Sequence, residues 1–278
     1  MKIFFLIFLI LFAFAIEQDY VIGPHGISVH KSCVHHVTSG SHVRTLDDGS
    51  IIAEYKGDIK SIPKCEYPYK FVLNKQRENG DNAELDGWQV WAAFEQENQT
   101  SFDVFTDIMS VPPNPTTFTE NGIIYLFPVL QYAKSSTGEG YTWAVASWYV
   151  TSSSGYLVSD LIEVSPKENI ICSMVHAGQG STQWTINATV QSTGKTTSLT
   201  VSKEILITQK WAFITLEVYY LTTCDYYPSA PSYFTQNVLI SHGKQITPKW
   251  TAYSKYDPTI CGEAVNIESP ESVTITFS

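Results

Sequence analysis

Apolar and polar positions alternate with a period near two through most of this chain. "GWQVWAAFE", "SFDVFTDIMSV", "YTWAVASWYV", "NIICSMVHA", "TQWTINATVQ", "WAFITLEVYYL" and "VTITF" are short runs rich in Val, Ile, Thr and aromatic residues, a composition that favours extended backbone. Between them lie "PPNPTT", "KSSTGEG", "TSSSG", "GQGS" and "STGK", clusters of turn-forming residues. Helical periodicity is nearly absent. Many short strands punctuated in this way predict an all-β fold, a two-sheet antiparallel β-sandwich of the concanavalin-like jelly-roll kind.

A sandwich sheet normally buries one face and wets the other, yet several runs here are apolar on both. In "IIYLFPVLQYA", read as one strand, Tyr125, Phe127, Val129 and Gln131 share a face. In "YTWAVASWYV", Trp143, Val145, Ser147 and Tyr149 oppose Ala144, Ala146, Trp148 and Val150. Second faces rich in Trp and Tyr predict a curved sheet with a concave ligand-binding surface. "WAFITLEVYYL" adds a question of its own. Ala212, Ile214, Leu216 and Val218 form a plain core face, while Trp211, Phe213, Thr215, Glu217 and Tyr219 form a row with one carboxylate among rings. Such a carboxylate must be paired, solvated through a cleft, or made costly by desolvation.

The ends and the composition set the context. "MKIFFLIFLILFAFA" has Lys2, an apolar run from Ile3 to Phe14, and small residues at Ala13 and Ala15, the pattern of a secretory signal peptide cleaved after residue 15. No later segment reaches the roughly 18 uninterrupted apolar residues of a membrane helix. The expected protein is therefore exported, outside the cell or in the lumen of an acidic vesicle, with no membrane span. Losing Lys2 moves the formal charge from −10 to −11, and no arginine follows Arg77. Phosphate neutralisation needs clustered Lys and Arg, so nucleic acid is excluded as a partner, and a monomer is expected.

Residues 16–86 carry five of the seven histidines and end in the polar "NKQRENGDNAELDG", which reads as a linker. This segment is a propeptide or a small appended domain, and 87–278 is the β-rich body. Five cysteines in an exported chain predict two disulfides and one thiol. Cys33 with Cys65 and Cys224 with Cys261 are the expected pairs, with Cys172 buried, although other pairings of the distal cysteines stay open. Asn98 and Asn187 stand in glycosylation triplets.

GxSxG, HExxH and DTG or DSG signatures are all missing, as is a phosphate-binding glycine loop. The histidines at 25, 30, 35, 36 and 42 match no familiar metal spacing, so neither metal nor cofactor is expected. What remains is an order of blocks: "VLQ", then "WAVASWY", then "LEVY". This order resembles the glutamic peptidases of the eqolisin family, over about residues 87–245. The resemblance implies a dyad of Gln131 and Glu217 from neighbouring strands of a curved sheet. Glu217 would be the base that activates water, and Gln131 would donate its amide N–H to the developing oxyanion. Tyr125, Trp143, Ser147, Tyr149, Phe213 and Tyr219 would line the groove, and a polypeptide would be the substrate in acid.

The chain departs from the family in the short "YLFPVLQ" and in Ser147, where peptidases of the family place a carboxylate before Trp-Tyr. The competing expectation is a non-catalytic sandwich that binds peptide or glycan in the aromatic groove. Taken singly, a residue such as Glu217 or Gln131 is more often structural, since buried polar groups are normally satisfied ones.

Overall fold

The computed structural model describes residues 20–277 apart from 23–26, 72–84, 97–100, 136–139, 152–154, 179, 204–208 and 257. The stretch read as a leader, most of the stretch read as a polar linker and the Asn98 triplet lie outside the described residues. What is described is almost entirely β. Two large sheets face each other. The smaller runs in the order Ile162–Val164, Tyr141–Val145, Leu130–Lys134, Ile123–Phe127, Trp211–Leu221, Leu85–Glu95 and Thr251–Ser254, all antiparallel. The larger runs from Ala264–Ser269 through Ser272–Thr276, Ser232–Ser241, Val104–Ser110, Asn169–His176, Gln183–Val190 and Thr196–Lys203 to Ser41–Thr45, Ile51–Tyr55 and Asp58–Ile62.

The strict alternation of buried and half-buried residues along Val104–Ser110 and Gln183–Val190 shows why these residues form strands with one face turned inward. Leu126, Trp143, Ile214 and Val218 from the smaller sheet meet Met109, Ile170, Phe234 and Val273 from the larger in the main core. Removing such side chains from water is worth about 1.5–3 kcal/mol each.

Within the segment preceding the body, Tyr20–Ile22, Ile27–His30 and Lys70–Phe71 form a three-stranded sheet of their own, while other strands join the body. Ser41–Thr45 adds to Thr196–Lys203 in parallel, and Val34–His36 adds to Gly155–Val158 in parallel. Val37, Val43, Ile51 and Ile62 join Leu157, Trp184, Leu199 and Val201 in a second core. These strands of the segment thus extend the body's sheets. Cys33–Cys65 and Cys224–Cys261 are bonded and Cys172 is a buried thiol.

Two runs that read as single strands are broken. "IIYLFPVLQYA" folds back at Pro128 and Val129 into a hairpin that places Tyr125 opposite Gln131. Proline fixes its own φ and has no N–H for the ladder, so a turn is its natural place. "YTWAVASWYV" leaves the smaller sheet after Val145. Trp148–Thr151 then pairs with Gly155–Val158 in a small separate sheet completed by Val34–His36.

Gly155, in this small sheet, lies against Cys33 of the preceding segment. Its φ is +84°, and a Cβ there would lie 2.2 Å from the Cys33 carbonyl oxygen. Both conditions demand glycine. Gly155→Ala is expected to lower stability by about 2–4 kcal/mol, the combined cost of overpacking and a left-handed L-residue, as a drop in urea midpoint with unchanged slope.

Candidate functional site

The outer face of the smaller sheet carries the site. Across the strands, Glu163, Ala144, Gln131, Tyr125, Glu217 and Trp88 lie in one continuous row of register partners, and register partners share a face. Gln131 and Glu217 are therefore brought to the same face, but from strands separated by Ile123–Phe127 and not from neighbours. Tyr125 stands between them. At about 4.8 Å per strand, Gln131 and Glu217 have backbones about 10 Å apart.

Glu217 is fully buried, and the Tyr219 hydroxyl donates to its Oε1. Residues two apart in a strand point the same way, so this bond follows from the local spacing. Tyr125 and Tyr219 are also buried, and their rings meet edge to face at 6.4 Å. Burial, then the Glu217 charge, pushes both phenols above their ordinary range, so they stay protonated donors.

The cover comes from the small sheet. Trp148 sits edge-on to Tyr125 at 6.2 Å and to Tyr156 at 6.2 Å. The opposite face of the same hairpin puts Tyr149 and Leu157 into the second core. The hairpin thus bridges the larger sheet and the Glu217 pocket.

Beside Glu217 lies an aromatic strip. Trp211 stacks on Phe213 at 5.7 Å, Phe213 meets Trp88 at 5.1 Å, Trp88 meets Trp91 at 5.5 Å, and Trp91 stacks on Tyr253 at 5.6 Å. Trp211 and Tyr253 at its two ends are nearly half exposed. Trp88 and Trp91 are three residues apart and would face opposite sides of a regular strand. A bulge reconciles them: partners step from Val90 opposite Leu216 to Trp88 opposite Glu217, which leaves Gln89 as the extra residue. Regular alternation hides this, and the only signal in the sequence is the density of rings in "GWQVW".

Among the expected groove residues, Tyr125, Tyr219 and Phe213 share the Glu217 face. Three others are placed elsewhere. Trp143 is fully buried in the main core, tilted against Tyr132 at 4.9 Å; the alternation holds, but its face turns inward. Tyr149 packs in the second core because the chain breaks after Val145. Ser147 is fully buried and donates to the Ile186 carbonyl at 3.0 Å, while its N–H donates to Ser159 Oγ at 2.8 Å. It anchors the base of the covering hairpin. Ser147→Ala is expected to cost about 1–2 kcal/mol in a denaturation series, with the pH dependence of that series unchanged.

Asn187 lies mid-strand in the larger sheet, and its amide nitrogen donates to Ser173 Oγ at 3.2 Å. Among the described residues no group of three or more His, Cys, Asp or Glu side chains is placed to hold a metal ion, and no helix is long and apolar enough to cross a membrane. A second carboxylate does share the row, Glu163, which accepts from Ser135 Oγ at 2.7 Å. Four strand spacings put it about 19 Å from Glu217, beyond the roughly 5–10 Å of a glycosidase pair.

The fold and this row define an all-β sandwich with a covered carboxylate on the outer face of one sheet. No protein-family model matches the chain, and no curated protein does. Solved structures similar to it include scytalido-glutamic peptidase with a transition state analog inhibitor, and the same peptidase with a peptide based transition state analog. Each is 14% identical with a TM-score of 0.46, covering 70% of this chain and 100% of the other. SCP-B, a member of the eqolisin family of peptidases in complex with the tripeptide Ala-Ile-His, is also similar, at 14% identity, a TM-score of 0.44 and the same coverage.

Proposed function

We propose that this chain is an exported glutamic-peptidase-type hydrolase that works in acid, held closed in the conformation described above. The observation that carries the reading is the shared row, which puts the Glu217 carboxylate and the Gln131 primary amide on the same face, two strands apart. That spacing suits the chemistry. A base, a water and a peptide carbonyl in line need several ångströms between the base and the oxyanion donor, more than directly opposed side chains leave. Glu217 takes the proton of the attacking water and later delivers it to the leaving amine. Gln131 donates its N–H to the oxygen on which charge develops. A free glutamate titrates near about 4.3, so such a base remains usable where histidine is protonated.

Substrate reaches Glu217 when the Trp148 and Tyr156 edge of the hairpin lifts away. The aromatic strip from Trp211 to Tyr253 favours a second reading, in which the face holds a peptide or glycan without cleaving it, since rings in line are a common binding surface. The two separate in one experiment. Purified protein is incubated with a denatured protein substrate at pH 3 to 6 in the presence of pepstatin, and new amino termini are counted. Cleavage that disappears in Glu217→Gln and Gln131→Ala supports the hydrolase. A folded wild type that binds the substrate and produces no new termini leaves the binding module.

A further inference from the structure

We infer that Tyr125 is a catalytic residue of this site, donating a hydrogen bond from its hydroxyl to the carbonyl oxygen of the scissile peptide alongside Gln131. The inference rests on the peptidase reading above and adds a residue to it. Its basis is position. Tyr125 is the direct register partner of both Glu217 and Gln131, so it occupies the floor of the space the two straddle. Cross-strand partners have Cβ atoms about 4.5–5.5 Å apart, about half the separation of Gln131 from Glu217. A water held on Glu217 and a carbonyl carbon within about 3–3.5 Å of it thus lie nearer to Tyr125 than to the glutamine.

Three phenols, linked through Tyr125 and Trp148, meet at this site and are not equivalent. Tyr219 already donates to Glu217 Oε1, and so orients the base. Tyr156 belongs to the covering hairpin and leaves with it. Tyr125 belongs to the sheet, and its hydroxyl forms no hydrogen bond among the described residues. Among the described residues it has no protein acceptor, and it is a donor that stays in place when the hairpin lifts. Burial and the adjacent Glu217 charge hold its proton throughout the acid range.

Water oxygen bonds to the carbonyl carbon and gives a proton to Glu217, while the carbonyl π pair moves to oxygen. That oxygen accepts hydrogen bonds from the Tyr125 hydroxyl and the Gln131 amide, both of which keep their protons. Its electron pair then returns to carbon, the C–N bond breaks, and Glu217 passes its proton to the departing nitrogen. The products are a carboxylic acid and an amine.

Tyr125→Phe keeps the ring that packs against Phe127 and Trp148 and removes only the hydroxyl. It is expected to lower kcat by about 10²–10³-fold with KM within about threefold, and to weaken binding of a peptide phosphinate, a tetrahedral mimic, by a comparable factor. Installing 3-fluorotyrosine at 125, which restores a hydroxyl, should recover most of the rate. A cleaving wild type whose Tyr125→Phe variant keeps kcat within about threefold overturns the role of Tyr125 and leaves the peptidase reading intact. A wild type that neither cleaves nor binds the phosphinate overturns both.

Discussion

Glu217→Gln is expected to reduce acid proteolysis by at least about 10³-fold while leaving a protein that resists urea better than the wild type at neutral pH. The first half follows from the base role, because an amide cannot take the proton of water. The second follows from burial. Glu217 is fully sequestered among Tyr125, Tyr219 and the hairpin rings, and an ionised carboxylate kept from water is costly unless fully compensated. Glutamine has nearly the same shape and still offers an oxygen to the Tyr219 hydroxyl, so the Tyr219 bond survives and the charge does not. A gain of about 1–2 kcal/mol is the expected scale. The paired measurement decides the role of the residue. Lost activity with raised stability marks a group kept for chemistry, whereas lost activity with a matching fall in urea midpoint marks a structural carboxylate.

The second large effect concerns a different carboxyl. Asp107 lies on Val104–Ser110, faces the main core opposite Cys172, and is fully buried with neither oxygen in a well-formed hydrogen bond. Next to it the Ser232–Ser241 strand bulges between Thr235 and Val238, and Asn237 is buried there with its own oxygen unmatched. Burial pushes Asp107 up from 3.8 to about 7, and the Cys172 thiol offsets only part of that. In the unfolded chain Asp107 releases its proton near 3.8; in the folded chain it holds it to about 7. Between these values the unfolded state binds fewer protons, so stability falls as pH rises. The expected loss is about 1.4 kcal/mol per pH unit and about 4 kcal/mol in all, levelling off above about pH 7. His35 pulls the other way, since burial, then Lys60 and His36, lowers its pKa and its stabilisation fades in acid. The test is therefore a difference: urea midpoints at pH 4 to 8 for wild type and Asp107→Asn. The Asp107→Asn variant should lack the downward slope, and parallel curves would sink the assignment. The fold would then be best held together in the pH range where Glu217 is proposed to work.

Much of the architecture is legible in the chain, because the two-residue period is imposed by the pleat itself. Ala212, Ile214, Leu216 and Val218 are readable as core, and both disulfides follow the expected cysteine pairs. What alternation cannot reveal is which of two apolar faces turns inward. Trp143 is aromatic and so reads as groove, yet Tyr132 and Trp143 are among the rings that fill the sandwich. Nor does periodicity locate breaks. Pro128 reverses the chain, and this is what puts Tyr125 across from Gln131 instead of further along the same face of one strand. Chain reversal at 128 and departure at 146 also decide that Tyr149 is core and Trp148 is cover. The bulge at Gln89, which gathers Trp88 and Trp91 on one side, arises from pairing with the distant strand Trp211–Leu221, and no local pattern encodes it.

The parallel joint between Ser41–Thr45 and Leu199–Lys203 has a consequence for biogenesis. The first of these strands leaves the ribosome long before its partner, and a contact of such sequence separation is slow to close. During that interval the hairpin of Ser41–Thr45 and Ile51–Tyr55 presents a bare edge, open to pairing with another chain. The Cys33–Cys65 bridge joins residues 32 apart around that hairpin and needs no residue of the later strands to close. Formed in an oxidising compartment before the partner strand arrives, it would act as a chaperone in cis, holding the first strands compact until the rest of the sheet covers them.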